Sequence, residues 1–523
     1  MAAEFASVAA VSAGSRGPQR SFTLPAIALA VLLGLPALLV AVPPLADLPG
    51  HMARYYVESR AGGAAVRDYF VFNWQLTGNL GCDAIMQLLV PWLGVEPATR
   101  LVVGFIPVLL GIGMLLVARE AHGRLPATAP AALPLALGWP YQMGFVNYWL
   151  SVALAFLAFA LWMRMGRSAA WSHRRSLVFL LVGVVLWAAH VAGWALLLLL
   201  CWASEFVQSR EKRLAIRSAR ALLTCLCLGL PLLLMAAWRS GQHASIGEWP
   251  RFETKLQWLA GSLRDRWIVV DLLSLAFVFG CVALPILQRG RARYSPTLLL
   301  PGCLLLVIGI IGPELVFGSM FASTRLLAVG LILLVLSVGE AEATSVSFRR
   351  MLMAASVAFC IFRIGAGIAS FQIYDRSYRE QMELIAGIER KATIAAFVGQ
   401  PCPGKVSSWT KSRLEYLPSL AVVRHDAFVN NLFIGPGSQG LAIVYPKAGR
   451  FTDESSALVT VEQRGCVGGF PPTLQSSLRT LPFGAFDYLW LVDVPRQMWP
   501  RAPQLQLVAQ KGNSALFRIR RAQ

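Results

Sequence analysis

Charge is what this sequence has least of. Only 14% of its 523 residues are Asp, Glu, Lys or Arg, against 56% hydrophobic. That is too little charge to coat a soluble protein of this length, and the apolar residues come in long blocks, as membrane spans do. Acids are scarcest, 27 against 47 basic residues, for a net charge of +20. A basic balance can mark a nucleic-acid partner, but these arginines sit in short clusters between apolar blocks, where the positive-inside rule puts them. Nucleic acid is rejected on that ground. No Walker loop or Ser/Cys nucleophile motif stands out, so nucleotide-driven chemistry on the cytoplasmic side has no sequence support. Nine cysteines are present, but no CxxC or Cys/His cluster has zinc spacing, which disfavours a structural metal. Cys201, Cys225, Cys227, Cys281, Cys303 and Cys360 fall in apolar blocks, where cysteine behaves as a small hydrophobe, while Cys82, Cys402 and Cys466 fall outside them. There is no internal repeat and no low-complexity linker.

What is present is a series of apolar runs. The first, 22–42, follows a small, polar, basic stretch with Arg16 and Arg20. At about 20 residues it exceeds a typical signal core of roughly 7–15, and Pro43-Pro44 is a poor cleavage context. An uncleaved first span with a cytoplasmic tail (1–21) is expected, against the rival of a cleaved leader. A long loop, 43–97, follows; within it 82–95 is apolar but too short to cross, and is expected to lie along the membrane face. Further spans are expected at 98–118, 129–141 (short and proline-broken), 145–165, 221–238, 267–287, 297–313, 323–339 and 351–371.

The run 177–206 is too long for one ordinary span and short for two, with His190 at its middle in WAAHVAGW. Two spans meeting at His190 near the outer surface put Arg210 to Arg220, Arg289, Arg291, Arg293, Arg349 and Arg350 on the cytoplasmic side; one span would invert them. The positive-inside bias favours two, for about eleven spans in all. From about 372 to 523 the chain turns charged and rich in Gly and Pro, with short alternating strands such as LAIVY, YLWLVDV and ALFRIR. That reads as a soluble α+β domain on the same side as loop 43–97, the periplasm in a bacterial inner membrane. Cys402 and Cys466 either pair there or stay free.

A first span, a long outer loop opening on an acid, many short-looped spans and an outer C-terminal domain together resemble the GT-C glycosyltransferases. The strings ADLPGHMAR, NLGCDAIMQLL, GWPYQMGFVNYW and FASTRLLAVGLILL are similar to segments of a set of bacterial membrane proteins with D-x-P-x-H after the first span. The resemblance implies a polytopic α-helical membrane protein (22–371) with a C-terminal α+β domain. It implies transfer of a sugar from a polyprenyl-phosphate donor to a glycan, lipid or protein acceptor at the outer face. One departure matters: an acid adjacent to Asp47 is missing, and His51 stands four positions on. A single acid disfavours a tight divalent-metal site, so no cofactor is expected, with a metal the lesser possibility.

Within that resemblance Asp47 would be the general base, taking a proton from the acceptor hydroxyl. Its alternative role is an N-cap for LPGHMARYY. His51, one helical turn on, would orient Asp47 or contact phosphate, or simply hold the loop to the spans. Arg54 fits a donor phosphate or a lipid headgroup. Asp83 reads as a second acid folded back toward Asp47, or as a charge favouring a helix start. His190, at membrane depth, is a candidate contact or a buried hydrogen-bonded histidine. Arg325 suits the carrier phosphate, unless Glu314 pairs with it and makes it structural. The charged stretch 239–266 (Glu248, Arg251, Glu253, Lys255, Arg264, Asp265, Arg266) reads as a solvated surface or a gate. Trp74, Trp92, Trp139, Trp149, Trp249, Trp258 and Trp267 read as an interfacial aromatic belt. Two rival functions remain: a non-catalytic, lipid-binding or envelope-assembly descendant of the same fold, and a transporter, for which the matching halves are missing.

Overall fold

The computed structural model describes residues 20–61, 63–168, 172–237, 246–316, 319–402, 409–410, 412–432, 434 and 440–520. Arg16 and residues 1–19 of the expected tail lie outside the described residues, as do Arg239 and the start of the charged stretch. Five described helices are long and apolar enough to cross a membrane, six if the pair Leu214–Leu228 and Leu230–Ala236, bent by 69°, is one span. Gly81–Leu93, Pro296–Ile311 and Ala322–Ser337 are shorter and apolar. The expected count of eleven is therefore not matched by long straight helices. Several expected spans are short or broken, each for a visible reason.

Run 22–42 is one such case. It forms Arg20–Leu32 and a short turn, Leu35–Leu38, with Leu33 and Gly34 in the break and Pro36 opening the second segment. Gly34 and Gly104 let this segment close on helix Val95–His122: a Cβ on Gly34 would stand 2.9 Å from the Gly104 carbonyl oxygen, and one on Gly104 2.8 Å from Leu38. Small residues at such crossings allow backbones to touch in lipid, where no hydrophobic gain drives helices together. The expected span 129–141 is a 3-10 helix, Ala129–Leu137, followed by the turn Trp139–Gln142. Every residue from Ala129 to Leu137 is buried, so it is an interior plug rather than a lipid-facing rod. Run 177–206 splits into Ser172–Ala189 and Val191–Gln208, with the break at His190.

Helix Val95–His122, 28 residues, is about 42 Å long at 1.5 Å per residue, and it defines the two ends of the bundle. At one end Glu96 pairs with Arg424 of the C-terminal region, 2.8 Å. At the other the His122 ring meets the Leu336 carbonyl, 2.9 Å, and Glu340 pairs with Arg124. The strand pair Ala292–Tyr294 and Val338–Glu340 lies at that second end, beside Arg289 and Arg291. Arg167 pairs with Glu120 there too, 2.7 Å. The basic clusters thus gather opposite the C-terminal region.

Helix Val346–Leu384 runs 39 residues without a break through the boundary expected near 371. It delivers the chain to a six-stranded sheet ordered Leu505–Lys511, Ser514–Ile519, Tyr488–Val492, Thr393–Gln400 and Phe428–Val429, with Leu458–Thr460 also on Thr393–Gln400. Tyr488–Val492 and Thr393–Gln400 pair in parallel, Tyr488 opposite Ile394, and both are almost wholly buried. That suits their unbroken apolar sequence. Cys402 and Cys466 are joined by a disulfide. Strand Phe70–Phe72 of loop 43–97 pairs with Leu441–Ile443, and the Tyr56 hydroxyl donates to Asp426, 2.6 Å. Loop and C-terminal region therefore form one body at one end of the bundle. In helix Gly81–Leu93, Cys82, Met86 and Val90 are buried while Leu88 and Trp92 are exposed, as an interfacial helix requires. Not all tryptophans form a belt: Trp149 is fully buried and donates to the Ala136 carbonyl, 2.7 Å.

The crossing of the first segment on Val95–His122 is testable. Gly104→Ile should lower thermal stability by an amount typical of core overpacking, ~1–3 kcal/mol. Gly280→Ile, where a Cβ meets nothing within 4 Å, should leave the unfolding midpoint in detergent almost unchanged. Equal shifts would contradict the close crossing.

Candidate functional site

The turn 138–149, GWPYQMGFVNYW, supplies the floor of the site. Its carbonyls hold the acidic loop: Ala46 N–H donates to Gln142, 3.1 Å, and Asp47 N–H to Met143, 3.0 Å. Gly144 sits at φ +86°, and a Cβ there would stand 3.0 Å from the Asp47 nitrogen and 3.3 Å from its Cβ. Only glycine combines that left-handed conformation with that closeness. Helix Leu48–Glu58 starts immediately after, with Pro49 in its first turn. Asp47 occupies the N-cap position, but its side chain makes no cap hydrogen bond. The carboxylate instead acts electrostatically on Arg325, Tyr378 and Tyr416.

Three side chains of the same turn organise the rest. The Arg325 guanidinium lies 4.3 Å over the Phe145 ring and 5.3 Å from that of Tyr148. It donates to Ser319 Oγ, 2.6 Å, while its Nε is buried with no hydrogen-bond partner among the described residues. The Tyr148 hydroxyl donates to the Arg325 carbonyl, 3.0 Å, and the His190 ring packs edge-on against Tyr148 at 5.7 Å. His190 caps helix Val191–Gln208: its Nδ1 accepts from Ala192 N–H, 3.1 Å. With Nδ1 accepting, the neutral ring carries its proton on Nε2 and is a donor there. Asp47, Arg325 and His190 are thus linked through this one turn.

Arg54 and Asp83 go elsewhere. Arg54 was expected at a phosphate or a lipid headgroup, and Asp83 as a second acid near Asp47 or as a helix-start charge; the structure pairs them with each other at 2.8 Å, with side chains 2% and 4% exposed, and Asp83 stands in the first turn of Gly81–Leu93. Asn147, again from the turn, donates to Asp83 Oδ2, 2.9 Å, and accepts from Cys82 N–H, 2.6 Å. Neither reaches solvent or lipid, because a buried charge is retained only with an opposite charge and hydrogen bonds around it. Burial opposes the Arg54 charge, yet Asp83, with Tyr55 and Glu58, holds its pKa above the ordinary value. Glu58 lines the same pocket; burial, then the Asp83 charge, push its carboxyl up to about 9, so it is protonated at neutral pH. His51 is half-buried and stacked on Tyr55 at 6.2 Å. Burial and the neighbouring Arg54 hold its pKa well below the ordinary value, so it stays neutral.

Sequence reasoning missed two supports. Lys255 and Asp265, expected on a solvated surface, are 2% and 5% exposed. Lys255 donates to the Gly312 carbonyl, 2.9 Å, contacts Ser323 and pairs with Glu314 at 3.4 Å. Glu314 is therefore engaged by Lys255, and the two clamp the start of the helix that carries Arg325. That helix, Ala322–Ser337, is preceded by Phe321, held at φ +64° and stacked on Phe145. Asp265 accepts from Arg413, 2.6 Å, and Arg413 donates to the Pro44 carbonyl, 2.7 Å, fixing the acidic loop from the C-terminal side. Among the described residues no group of three or more His, Cys, Asp or Glu converges as a metal site would require.

This helical bundle, with an acid-bearing loop after its first helix and a β-containing C-terminal region closing that end, shares its fold with a solved structure, that of ArnT. The crystal structure of ArnT from Cupriavidus metallidurans in the apo state matches 95% of this chain and 98% of its own, with TM-score 0.50 and 13% identity. ArnT bound to undecaprenyl phosphate matches 96% of this chain and 98% of its own, with TM-score 0.48 and 13% identity. The arabinofuranosyltransferase AftD from Mycobacteria, by cryo-EM, matches 97% of this chain and 42% of its own, with TM-score 0.44 and 16% identity. The fold assignment rests on the first of these. No family model matches the chain, and no curated protein matches it by sequence.

The Glu58 environment gives a pH signature. Its folded pKa is raised, so its contribution to stability is full below its ordinary 4.5 and is lost as pH rises toward about 9. Glu58→Gln keeps the shape without the ionisation. The variant should gain thermal stability over the native chain as pH rises through that window, and least at the acid end. A difference independent of pH would contradict a protonated Glu58.

Proposed function

We propose that this protein is an integral-membrane glycosyltransferase that moves a sugar from a polyprenyl-phosphate donor to an acceptor at the outer face of a bacterial inner membrane. The N-terminus lies in the cytoplasm and the C-terminal domain in the periplasm. The observation that carries the reading is the turn 138–149, which holds the Asp47 main chain by two carbonyls and Arg325 by the Phe145 and Tyr148 rings, at the end of the bundle covered by the C-terminal region. Arg325 is aromatic-lined, with an unspent buried Nε. A planar guanidinium suits a phosphate in a desolvated site. His190 Nε2 is a second donor for it, while His51, neutral and beside Asp47, positions the loop.

In the proposed step Asp47 accepts the proton of an acceptor hydroxyl as that oxygen bonds to the anomeric carbon. The bond from that carbon to the phosphate oxygen breaks, and its electron pair leaves with the polyprenyl phosphate. The phosphate is already a stable anion, so it needs cationic contacts rather than a proton donor. The step invokes no metal.

Two substitutions separate catalysis from mere lipid binding. Asp47→Asn should lower sugar transfer by ~10²–10⁴-fold and leave binding of undecaprenyl phosphate intact. Arg325→Met should weaken that binding at least ~10-fold, the loss of a charged hydrogen bond. Envelope glycans unchanged in cells carrying Asp47→Asn would favour the non-catalytic, lipid-binding reading. Chelation with EDTA should leave transfer unchanged; restoration by a divalent cation after loss would overturn the metal-free step.

A further inference from the structure

A second hollow lies outside the Asp47–Arg325 site. It is a cleft of about 340 Å³ between the outer end of helix Val346–Leu384, the residues Thr410 and Ser412 to Leu414, and the turn joining the last two strands. We propose that this cleft binds a neutral, hydroxyl-rich sugar unit of the acceptor.

Size comes first. Ligand pockets run from roughly 300 to 1,000 Å³, so this one takes about one or two sugar rings. Its lining is mixed, as a sugar with polar edges and apolar faces requires: Ser377, Ser412 and Asn513 supply hydroxyls and an amide beside Ile373, Tyr374 and Leu414, while the Thr410 hydroxyl donates to the Arg266 carbonyl and Ser514 Oγ accepts from Asp493 N–H. Gln381 Oε1 and Ser412 Oγ are buried with no hydrogen-bond partner among the described residues, and Gln381 is 7% exposed. The wall therefore holds unspent hydrogen-bonding capacity, which is costly unless something supplies partners.

Charge then decides between a sugar and an anion. Arg266, Arg413 and Lys511 face Glu380 and Asp493 across the cleft. Two of the three cations are already paired, Arg413 with Asp265 at 2.6 Å and Lys511 with Glu383 at 2.8 Å. The third, Arg266, lies over the Tyr374 ring at 5.0 Å. A nearly balanced field of fixed donors and acceptors suits a neutral polyol better than a phosphate, which needs unpaired positive charge.

Position selects the acceptor. The cleft and the acidic loop share Arg413, which lines the cleft and donates to the Pro44 carbonyl, 2.7 Å, three residues before Asp47. Tyr378, next to Ser377, donates to the Arg413 carbonyl, 2.6 Å, and feels the Asp47 charge. The cleft thus adjoins the acidic loop through Arg413. The word acceptor rests on the transfer reading above; the sugar site itself does not.

The test is saturation-transfer NMR on the full chain in nanodiscs, with a panel of neutral methyl glycosides of common hexoses and pentoses, and inorganic phosphate as the anionic arm. At least one glycoside should receive saturation, with a Kd near ~1 mM. Ser377→Trp, which fills the cleft, should weaken that binding at least tenfold while undecaprenyl phosphate binding and the melting temperature hold. Gln381→Leu should weaken it too, without adding bulk. No transfer to any glycoside, transfer unaffected by both variants, or competition by phosphate would overturn the proposal. Asp47→Asn should leave glycoside binding unchanged, so failure of the transfer reading and failure of the cleft remain distinguishable.

Discussion

Everything at the Asp47 end of the molecule depends on one main-chain contact, that of the turn around Gly144 with the acidic loop. Two carbonyls of the turn receive the N–H groups of Ala46 and Asp47, and Gly144 lets the backbones touch. The side chains that follow then divide the work. Phe145 and Tyr148 hold Arg325, Tyr148 packs on His190, and Asn147 completes the Arg54–Asp83 pair. One short turn thus positions the acid, the cation and the histidine, and buries the charges that are not used. Strings of sequence separated by up to some hundreds of residues meet there because each touches this turn.

The second constraint is the cost of charge away from water. Each deeply buried ion has an opposite charge beside it: Arg54 with Asp83, Lys255 with Glu314, Arg363 with Asp271, Arg413 with Asp265. Removing one partner of such a pair strands the other. These pairs tie segments far apart in sequence, and three of them frame the acidic loop or the helix of Arg325. Arg325 feels the charges of Asp47 and Glu314, but its hydrogen bond goes to a serine hydroxyl and its faces to aromatic rings. A cation held mainly by rings keeps its capacity for an incoming anion.

Much of this end was legible in the sequence, and the reasons are specific. The acid after the first apolar run, the histidine splitting 177–206 and the arginine opening a late span stood out because each interrupts an apolar stretch. The arginine clusters favoured the break at His190, which is where the two helices part. What was not legible depended on pairing. Nothing in the spacing of Arg54 and Asp83 says that they meet, since they lie on separate helices. Lys255 and Asp265 stand in a stretch whose charge density looks solvated, and only the partners from distant segments reveal burial. The end of the apolar run near 371 suggested a domain boundary. The chain there loses hydrophobicity but not helicity, so Val346–Leu384 continues to the sheet.

The central claim is that the turn brings Asp47 and Arg325 to one site able to take a phosphate-linked sugar. The most direct measurement is a cryo-EM structure of the full chain in nanodiscs with undecaprenyl phosphate. The account predicts phosphate density against the Arg325 guanidinium, with the Asp47 carboxylate facing the same chamber. Phosphate bound at a distance from Arg325, with that guanidinium still on Ser319, would contradict it.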